Sequence, residues 1–152
     1  SSATMALWQR LAHHSIGRWL FARAVCRRAP YFATITPRFD ELTPERCRVS
    51  MRKRRRVENH IGTIHALAMG NLCELAAGVL MEAATPPNMR WIPKGMQIQY
   101  LAKAPTDISA TARIEPAAWS TAQDVIVPVS VTDAAGTEVV RADITMYVSP
   151  RR

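Results

Sequence analysis

The sequence predicts an α+β domain in which an antiparallel sheet of about six strands wraps around one long central helix, at about residues 65–83. Three observations support this fold class. That helix is apolar on all sides, strand-like segments lie before and after it, and only short turns separate successive strands. Short turns favour antiparallel pairing. Because a twisted sheet has one apolar face to cover, we expect it to pack around the one helix that is apolar enough.

Size and composition agree with a folded domain. The 152 residues are 48% hydrophobic and 21% charged, which is typical of a globular chain with a core of its own. The most apolar stretch, residues 66–81, is interrupted by Asn71 and Glu74. It therefore falls short of the roughly 18 uninterrupted apolar residues of a membrane span, and we expect a buried helix.

The cysteines predict no disulfide framework and no metal site. Cys26, Cys47 and Cys73 are odd in number and far apart, and the sequence contains neither a CxxC nor an HExxH motif. Reduced thiols are typical of a cytoplasmic protein, which is the location we expect.

The net charge of +8 is unevenly distributed, because residues 1–38 contain six arginines and no acidic residue. An arginine-rich, acid-poor start is also typical of a mitochondrial transit peptide. Apolar residues such as Trp8 and Trp19, however, favour a segment that packs against the rest of the chain. We predict an amphipathic helical extension over residues 1–29, helical at 5–28 with Gly17 as a possible break, followed by one domain over residues 30–152.

Two strands are predicted before the central helix, at residues 33–39 and 46–57, with a turn at 40–45 that contains Pro44. In the second strand the odd-numbered residues from 47 to 57 would face the core and the even-numbered ones would face outward. The basic run at residues 52–56 then has two interpretations. It is either a solvated strand face with long side chains that reach water, or a surface that contacts phosphate groups.

Four strands are predicted after the helix, which should stop at the Thr-Pro-Pro-Asn segment of residues 85–88. Apolar residues alternate over residues 96–102, 108–114, 125–131 and 140–148. Pro128 predicts a bulge or an edge in the third of these strands. The Asp-Ala-Ala-Gly segment at 133–136 predicts the turn into the last one.

Glu74 stands alone as a charge in the middle of the apolar helix. Burying an ionised carboxylate without a partner has a desolvation cost on the order of several kcal/mol, even after the protein relaxes around it. Such a group is paired, takes up a proton, or lies at a wet opening that serves chemistry. A structural ion pair, for example with an arginine of the basic run, and a functional site both stay open at this point.

The loop before the helix contains Asn59, Gly62 and His65. The N–H groups of a first helical turn have no partner in the helix and can stabilise a developing negative oxygen. An anion-stabilising helix end together with a carboxylate suits hydrolysis of an acyl group.

The spacing between the two parts predicts a dimer. His65 and Glu74 are nine residues apart, which is roughly 13 to 14 Å along an α-helix, and at about 100° per residue they point to opposite sides. One helix cannot bring both to the same carbonyl. If both act on one substrate, Glu74 must meet the helix start of a second copy.

The motif Asn59-x-x-Gly62-x-x-His65, followed nine residues later by Glu74, resembles the active-site segment of hotdog-fold acyl-CoA thioesterases of the PaaI-like group, and most closely the DUF4442 branch. The resemblance covers residues 30–149 and implies a hotdog fold. It also implies an acyl-CoA thioester hydrolase that works as a homodimer or a dimer of dimers. Coenzyme A enters as part of the substrate, and no other cofactor and no metal are implied.

The resemblance also assigns roles. Glu74 would be the general base or the nucleophile, Asn59 would position water or the carboxylate, and the backbone N–H of Ala66 would form the oxyanion hole. His65 would shape the turn or contact substrate. Further substrate-binding candidates are Gly62, Leu67, Arg54, Arg56, Arg90 and Lys94.

Two positions depart from the family pattern. His-Gly-Gly is replaced by His65-Ala66-Leu67, which narrows the approach to the helix, and the acid is Glu where Asp is usual. Two rival hypotheses remain. One is a non-catalytic hotdog protein that binds an acyl ligand or lipid, with Glu74 paired and silent. The other, which we favour least because we expect no nucleic-acid partner, is a nucleic-acid-binding module that uses the basic run.

Overall fold

The computed structural model describes residues 2–115 and 117–152. Its α-helices are α1 (Ser2–Leu11), α2 (Ser15–Arg28) and α3 (Ala66–Ala84), and short 3-10 helices cover Pro30–Ile35 and Arg55–Val57. Its strands are β1 (Arg38–Thr43), β2 (Arg46–Met51), β3 (Met89–Tyr100), β4 (Ile108–Arg113), β5 (Gln123–Asp133) and β6 (Glu138–Pro150).

The strands form one antiparallel sheet in the order β1-β2-β4-β5-β6-β3. Its inward face packs around α3, whose side chains from Met69 to Ala83 are mostly buried. Inward residues such as Val49, Ala110 and Ile144 are buried in the same core cluster. The predicted fold class, a six-stranded sheet around a central helix, is therefore confirmed.

The central helix is a core element despite its membrane-like composition. Among the described residues, α3 is the one helix long and apolar enough to cross a membrane by length and composition alone. Of its most apolar 18-residue window, 72% is buried inside the domain. Such burial is typical of the core helix of a folded domain.

The predicted single N-terminal helix is two helices. The break lies at residues 12–14, ahead of Gly17, and the chain folds back on itself there. A Cβ at Gly17 would lie 1.7 Å from the carbonyl oxygen of Leu11, so this close backbone approach requires glycine. Trp8 and Phe21 then pack edge to face, with ring centroids 5.0 Å apart.

The predicted first strand is wrong in position. Residues 30–35 form a 3-10 helix that begins with Pro30, whose fixed φ suits a first helical turn. Thr36 ends it in the left-handed region, at φ 47°. The strand starts only at Arg38 and continues to Thr43, so the predicted turn at 40–45 shrinks to Pro44 and Glu45.

The predicted second strand is too long, because its partners end before it does. β1 pairs as far as Arg38↔Ser50, and β4 as far as Met51↔Ile108. Beyond Met51 the backbone finds other acceptors, and the N–H of Lys53 donates to Asp107 Oδ1 at 2.8 Å. The expected inward direction of residues 53 and 55 is therefore wrong, although Val57 is buried.

The strands β4 to β6 and the turns are confirmed, but the predicted bounds 96–102 of the strand before them are wrong. β3 begins at Met89 and ends at Tyr100, because β6 continues to Pro150 and pairs with this whole stretch. Thr85 ends α3, and Gly136 closes the turn before β6 with φ 86°. Pro128 causes no register shift against β6, where it pairs with Asp143. The ladder between β4 and β5 ends at Ala112↔Val129, so Pro128 lies just past its end, which is a local edge of the predicted kind.

β3 forms one edge of the sheet and contains a bulge. In the described chain it pairs with β6 only, and its register shifts between Pro93 and Gly95. Trp91 lies opposite the buried Val148 before the bulge, whereas after it the even-numbered residues lie opposite buried partners, as in Met96↔Ile144. The bulge thus changes which set of side chains faces α3.

Candidate active site

Asn59 holds the loop before α3 together with its own amide group. Its Oδ1 accepts from the N–H groups of Ile61 (3.1 Å) and Thr63 (3.0 Å), and its Nδ2 donates to Thr63 Oγ1 at 2.8 Å. Gly62 makes this tight loop possible with φ 79°. Both lone pairs of Oδ1 are occupied, which leaves one N–H of the amide for a ligand.

His65 caps the first turn of α3. Its Nδ1 accepts from the N–H of Leu67 at 3.0 Å, and its own N–H donates to the carbonyl of Val57 at 2.8 Å. In the neutral imidazole this bond assigns the proton to Nε2. The N–H of Ala66 finds no acceptor within the described residues, so it remains a free donor at the helix start.

Glu74 lies half-buried in a cleft of about 400 Å³ between α3, β3 and the N-terminal helices. The wall is mainly apolar, with Val25, Phe32 and Trp91 among its residues. Glu74 forms no hydrogen bond and no ion pair with any side chain in the described parts of the chain. The structural ion pair with an arginine of residues 52–56 is therefore not formed.

The floor of this cleft depends on Gly78, one turn of α3 beyond Glu74. A Cβ at Gly78 would lie 3.2 Å from the Trp91 ring, so glycine lets the indole lie across the helix. The Trp91 Nε1–H donates to Glu82 Oε1 at 3.0 Å, which fixes the orientation of the ring. Position, contact and hydrogen bond together make Trp91 a wall of the cleft.

His65 and Leu67 line a separate groove of about 210 Å³, together with Tyr31, Arg56 and Asn71. Asn71 is only 8% exposed; its Nδ2 donates to Thr34 Oγ1 at 3.2 Å, while its Oδ1 has no partner among the described atoms. Within one chain, Glu74 and the helix start thus open into different cavities. This agrees with the separation expected from their spacing.

The candidate substrate-binding residues lie in three separate places, of which Arg54 occupies the third, described below. Arg56 and Leu67 line the groove at the helix start, and Gly62 is exposed in the loop beside it. On β3, by contrast, Arg90 donates to Ser149 Oγ, and Lys94 forms an ion pair with Asp124 at 2.9 Å. The structure does not bring the β3 pair to the helix start of the same chain.

Arg54 lies in a third and larger groove, of about 870 Å³, between α2 and one end of the sheet. Sequence reasoning missed this arginine groove because its walls are far apart in the chain. Its arginines are Arg18, Arg38, Arg48, Arg52 and Arg54.

Cys73, the neighbour of Glu74 in the sequence, is not placed to act as a nucleophile. Cys73 is fully buried, and its burial raises the pKa of the thiol to about 12. It is therefore a protonated core residue. In the described parts of the chain, no group of three His, Cys, Asp or Glu side chains is placed to hold a metal ion.

Comparison with known proteins identifies the family of this chain. The family model described as "Domain of unknown function (DUF4442)" matches residues 17–148. A crystal structure from a genomics project is 40% identical and has a TM-score of 0.86, covering 99% of this chain and 100% of that one. Among curated proteins, none matches this chain significantly.

More distant solved structures share the hotdog fold. A Pseudomonas aeruginosa protein of unknown function, named a "Probable Thioesterase", is 22% identical with a TM-score of 0.78, covering 86% of this chain and 94% of that one. A Haemophilus influenzae thioesterase is 10% identical with a TM-score of 0.72, covering 84% and 87%. Identities this low show a shared fold only. Both of these structures carry the name thioesterase.

Proposed function

Because the chain belongs to the DUF4442 family, and because solved structures that share its fold are named as thioesterases, we propose that it hydrolyses acyl-CoA thioesters. The observation that carries the proposal is Glu74, a carboxylate without a partner among the described side chains, inside an apolar cleft. A charge kept there without a structural pair is typical of a catalytic group. The apolar wall around it suits an acyl chain.

The second half of the site is the start of α3. The free N–H of Ala66 is a donor for the thioester carbonyl oxygen, and its position at a helix N-terminus favours negative charge. His65 keeps the N–H of Leu67 occupied and thereby selects Ala66 as the donor. The remaining N–H of Asn59 is available to orient water or the carboxylate.

We propose that a second copy completes the site, because Glu74 and Ala66 of one chain face different cavities. The uncovered edge of β3 is the natural place for antiparallel pairing between two copies. If Glu74 faces Ala66 of the partner subunit, the two-fold axis passes α3 near residue 70, midway between them. The side chains of Met96 and Ile98 lie 3.7 and 3.8 Å from where a Cβ at Gly70 would be, so the strands would cross near residue 97.

Two chemical routes fit this arrangement. As a general base, Glu74 takes a proton from water; the water oxygen bonds to the carbonyl carbon, the C–S bond breaks, and the proton passes to the departing thiolate. As a nucleophile, Glu74 forms an anhydride and releases the thiolate, and water then cleaves the anhydride. After one turnover in ¹⁸O-water, label in the Glu74 carboxylate would identify the second route.

The direct test is hydrolysis of a panel of acyl-CoAs of increasing chain length. We expect Glu74→Ala and Glu74→Gln to lower kcat/KM at least about a hundredfold, the lower range for a catalytic acid or base. Glu45→Gln, in the exposed turn before β2, is the matched control and should leave the rate unchanged. Full activity in Glu74→Ala would disprove the assignment. Binding of acyl-CoA without hydrolysis by the wild type would favour the non-catalytic ligand-binding alternative.

Subunit complementation tests the shared site. Glu74→Ala and Asn59→Ala subunits are each expected to be inactive, but a mixed dimer contains one intact site. Random mixing should restore about a quarter of the wild-type rate, since half the dimers are mixed and each has one of two sites. No recovery on mixing would mean that the site lies within one chain.

A second test locates the interface. In a Cys26→Ser background, Gln97→Cys should form a disulfide between the two copies, because a residue at the two-fold axis pairs with itself. Arg90→Cys, seven residues away on the same strand, should not. Cross-linking at position 90 in place of 97 would contradict the proposed crossing point.

A further inference from the structure

The outward face of α2 is apolar where a helix on a folded domain is usually polar. Ile16, Trp19 and Leu20 are 71%, 57% and 44% exposed. With Arg23 and Arg27 they recur at helical spacing, which places all five on one side of the helix. Phe21 and Val25, by contrast, project to the other side and pack toward the core.

This stripe lies in a region of one charge sign. The two N-terminal helices contain five arginines and no acidic residue over residues 2–28. The Arg23 guanidinium lies 5.6 Å from the Trp19 ring centroid. Trp19 is therefore an aromatic residue that is both exposed and next to a cation, which is the typical setting of tryptophan at a membrane interface.

The arginine groove adjoins the stripe, because Trp19 and Arg18 of α2 form part of its wall. Its three carboxylates already have partners. Asp40 pairs with Arg38 at 3.5 Å, Asp107 accepts from the N–H of Lys53, and Asp133 accepts from N–H groups of its own turn.

Of the groove's other arginines, Arg18 donates to the carbonyl of Ala12 at 3.0 Å, and three remain available. Arg48, Arg52 and Arg54 have no carboxylate within ion-pair distance in the described chain. Guanidinium groups bind phosphate oxygens with two parallel hydrogen bonds, so three free arginines beside an apolar stripe match a surface that presents both phosphate and hydrocarbon.

We propose that the outward face of α2 and the adjoining arginine groove bind the surface of an anionic phospholipid bilayer. Ile16, Trp19 and Leu20 enter the interface, while the groove arginines contact lipid phosphates. A second copy fits this face poorly, because a symmetric contact would bring its arginines against each other. A nucleic acid would leave the exposed Ile16 and Leu20 without a partner.

The test uses the full chain and vesicles of equal parts phosphatidylcholine and phosphatidylglycerol, with pure phosphatidylcholine as comparison. We expect co-sedimentation with the anionic vesicles only, weakening as NaCl is raised. Trp8 and Trp119 are each 8% exposed and Trp91 is half-buried in the Glu74 cleft, whereas Trp19 is exposed on α2. Vesicles should therefore shift the tryptophan emission to the blue in the wild type, and this shift should be lost in Trp19→Phe, which keeps binding.

Paired variants separate the two contributions. Ile16→Ser with Leu20→Ser should weaken partitioning about tenfold or more, given the usual value of apolar burial. Arg48→Gln with Arg52→Gln should weaken it about fivefold per arginine removed. Ile126→Ser, on the outward face of β5 and 54% exposed, is the matched control and should bind like the wild type. Circular dichroism and thermal unfolding verify that each variant is folded.

The outcomes are distinguishable from those of the proposed activity. Glu74→Ala should bind vesicles like the wild type, because the bilayer contact does not use the cleft. Absence of binding to anionic vesicles, equal binding to pure phosphatidylcholine, or an equal loss in Ile126→Ser would each overturn the proposal.

Discussion

The two edge strands of the sheet, β1 and β3, differ in how the rest of the chain covers them. At the β1 edge, α2 packs against the strand, and Phe21 meets Phe39 edge to face with centroids 5.1 Å apart. At the β3 edge, twelve residues run with only β6 as a neighbour in the described chain, and Ile92, Met96 and Tyr100 stay exposed. The β1 edge is thus covered by α2 of the same chain. Because long apolar edges promote association, the β3 edge is where we propose that a second copy pairs.

The largest effect is expected at the covered edge. Phe21→Ala removes the ring between Trp8 and Phe39, and should lower the free energy of unfolding by about 3–5 kcal/mol, as for other buried phenylalanines. Denaturant unfolding measures the loss. Trp19→Ala on the exposed side of the same helix is the control, expected within about 0.5 kcal/mol. If Phe21→Ala lowered the free energy of unfolding no more than that control, the packing of α2 against β1 would contribute little to stability.

At the open edge, a charge should affect association more than folding. Met96→Lys is expected to raise the dimer dissociation constant about ten- to a hundredfold, because it places a cation at each side of the proposed pairing of β3 with β3. Analytical ultracentrifugation measures this change. Ile126→Lys, on the outward face of β5, should leave the dimer intact. If the wild type were a monomer at micromolar concentration, the proposed pairing of β3 with β3 would be wrong.

A smaller effect is expected where β3 meets α3. Gly78→Ala gains helix propensity of about 1 kcal/mol but forces the Trp91 ring to move from its 3.2 Å approach, which usually costs about 1–3 kcal/mol. We expect a net destabilisation of about 1 kcal/mol and a changed Trp91 emission. A more stable variant with unchanged emission would show that the ring does not depend on glycine.

The smallest effect concerns pH. The Ser130 hydroxyl that donates to Glu138, and then Arg141, hold the pKa of this carboxyl below its usual value. A lowered pKa stabilises the fold above the unfolded-state value, and this contribution is lost as the pH falls through the folded-state pKa. Ser130→Ala should therefore be slightly less stable than the wild type at pH 7 and equal to it at acid pH. A difference independent of pH would exclude this cause.

The confirmed predictions were those that depend on local pattern. The all-apolar helix and the alternation in β4 to β6 report burial directly, and Gly136 marks its turn because few residues adopt positive φ. The first strand failed for a different reason. Residues 30–35 have strand-like composition, but Pro30 favours a helical turn and Thr36 closes it in a left-handed conformation. The end of β2 depends on where its neighbours stop, which its own residues do not encode.

In the candidate site, too, the sequence predicted local features but not those formed by tertiary packing. The loop of Asn59 and the cap by His65 are local, and the motif indicated them. The apolar wall of the Glu74 cleft brings together Val25, Phe32 and Trp91, which are distant in sequence, and the arginine groove is built likewise. Only tertiary packing creates such surfaces, so the hydrophobic periodicity of the sequence does not reveal them.

The bulge at residues 93–95 of β3 has a consequence for how such proteins diversify. It separates Trp91, which forms the cleft wall, from Met96 and Ile98, which lie at the proposed subunit boundary. Without the bulge, one alternation would govern both stretches, and inserting or deleting a residue in one would invert the other. With it, selection can alter the ligand pocket and the subunit contact as separate modules of a single strand.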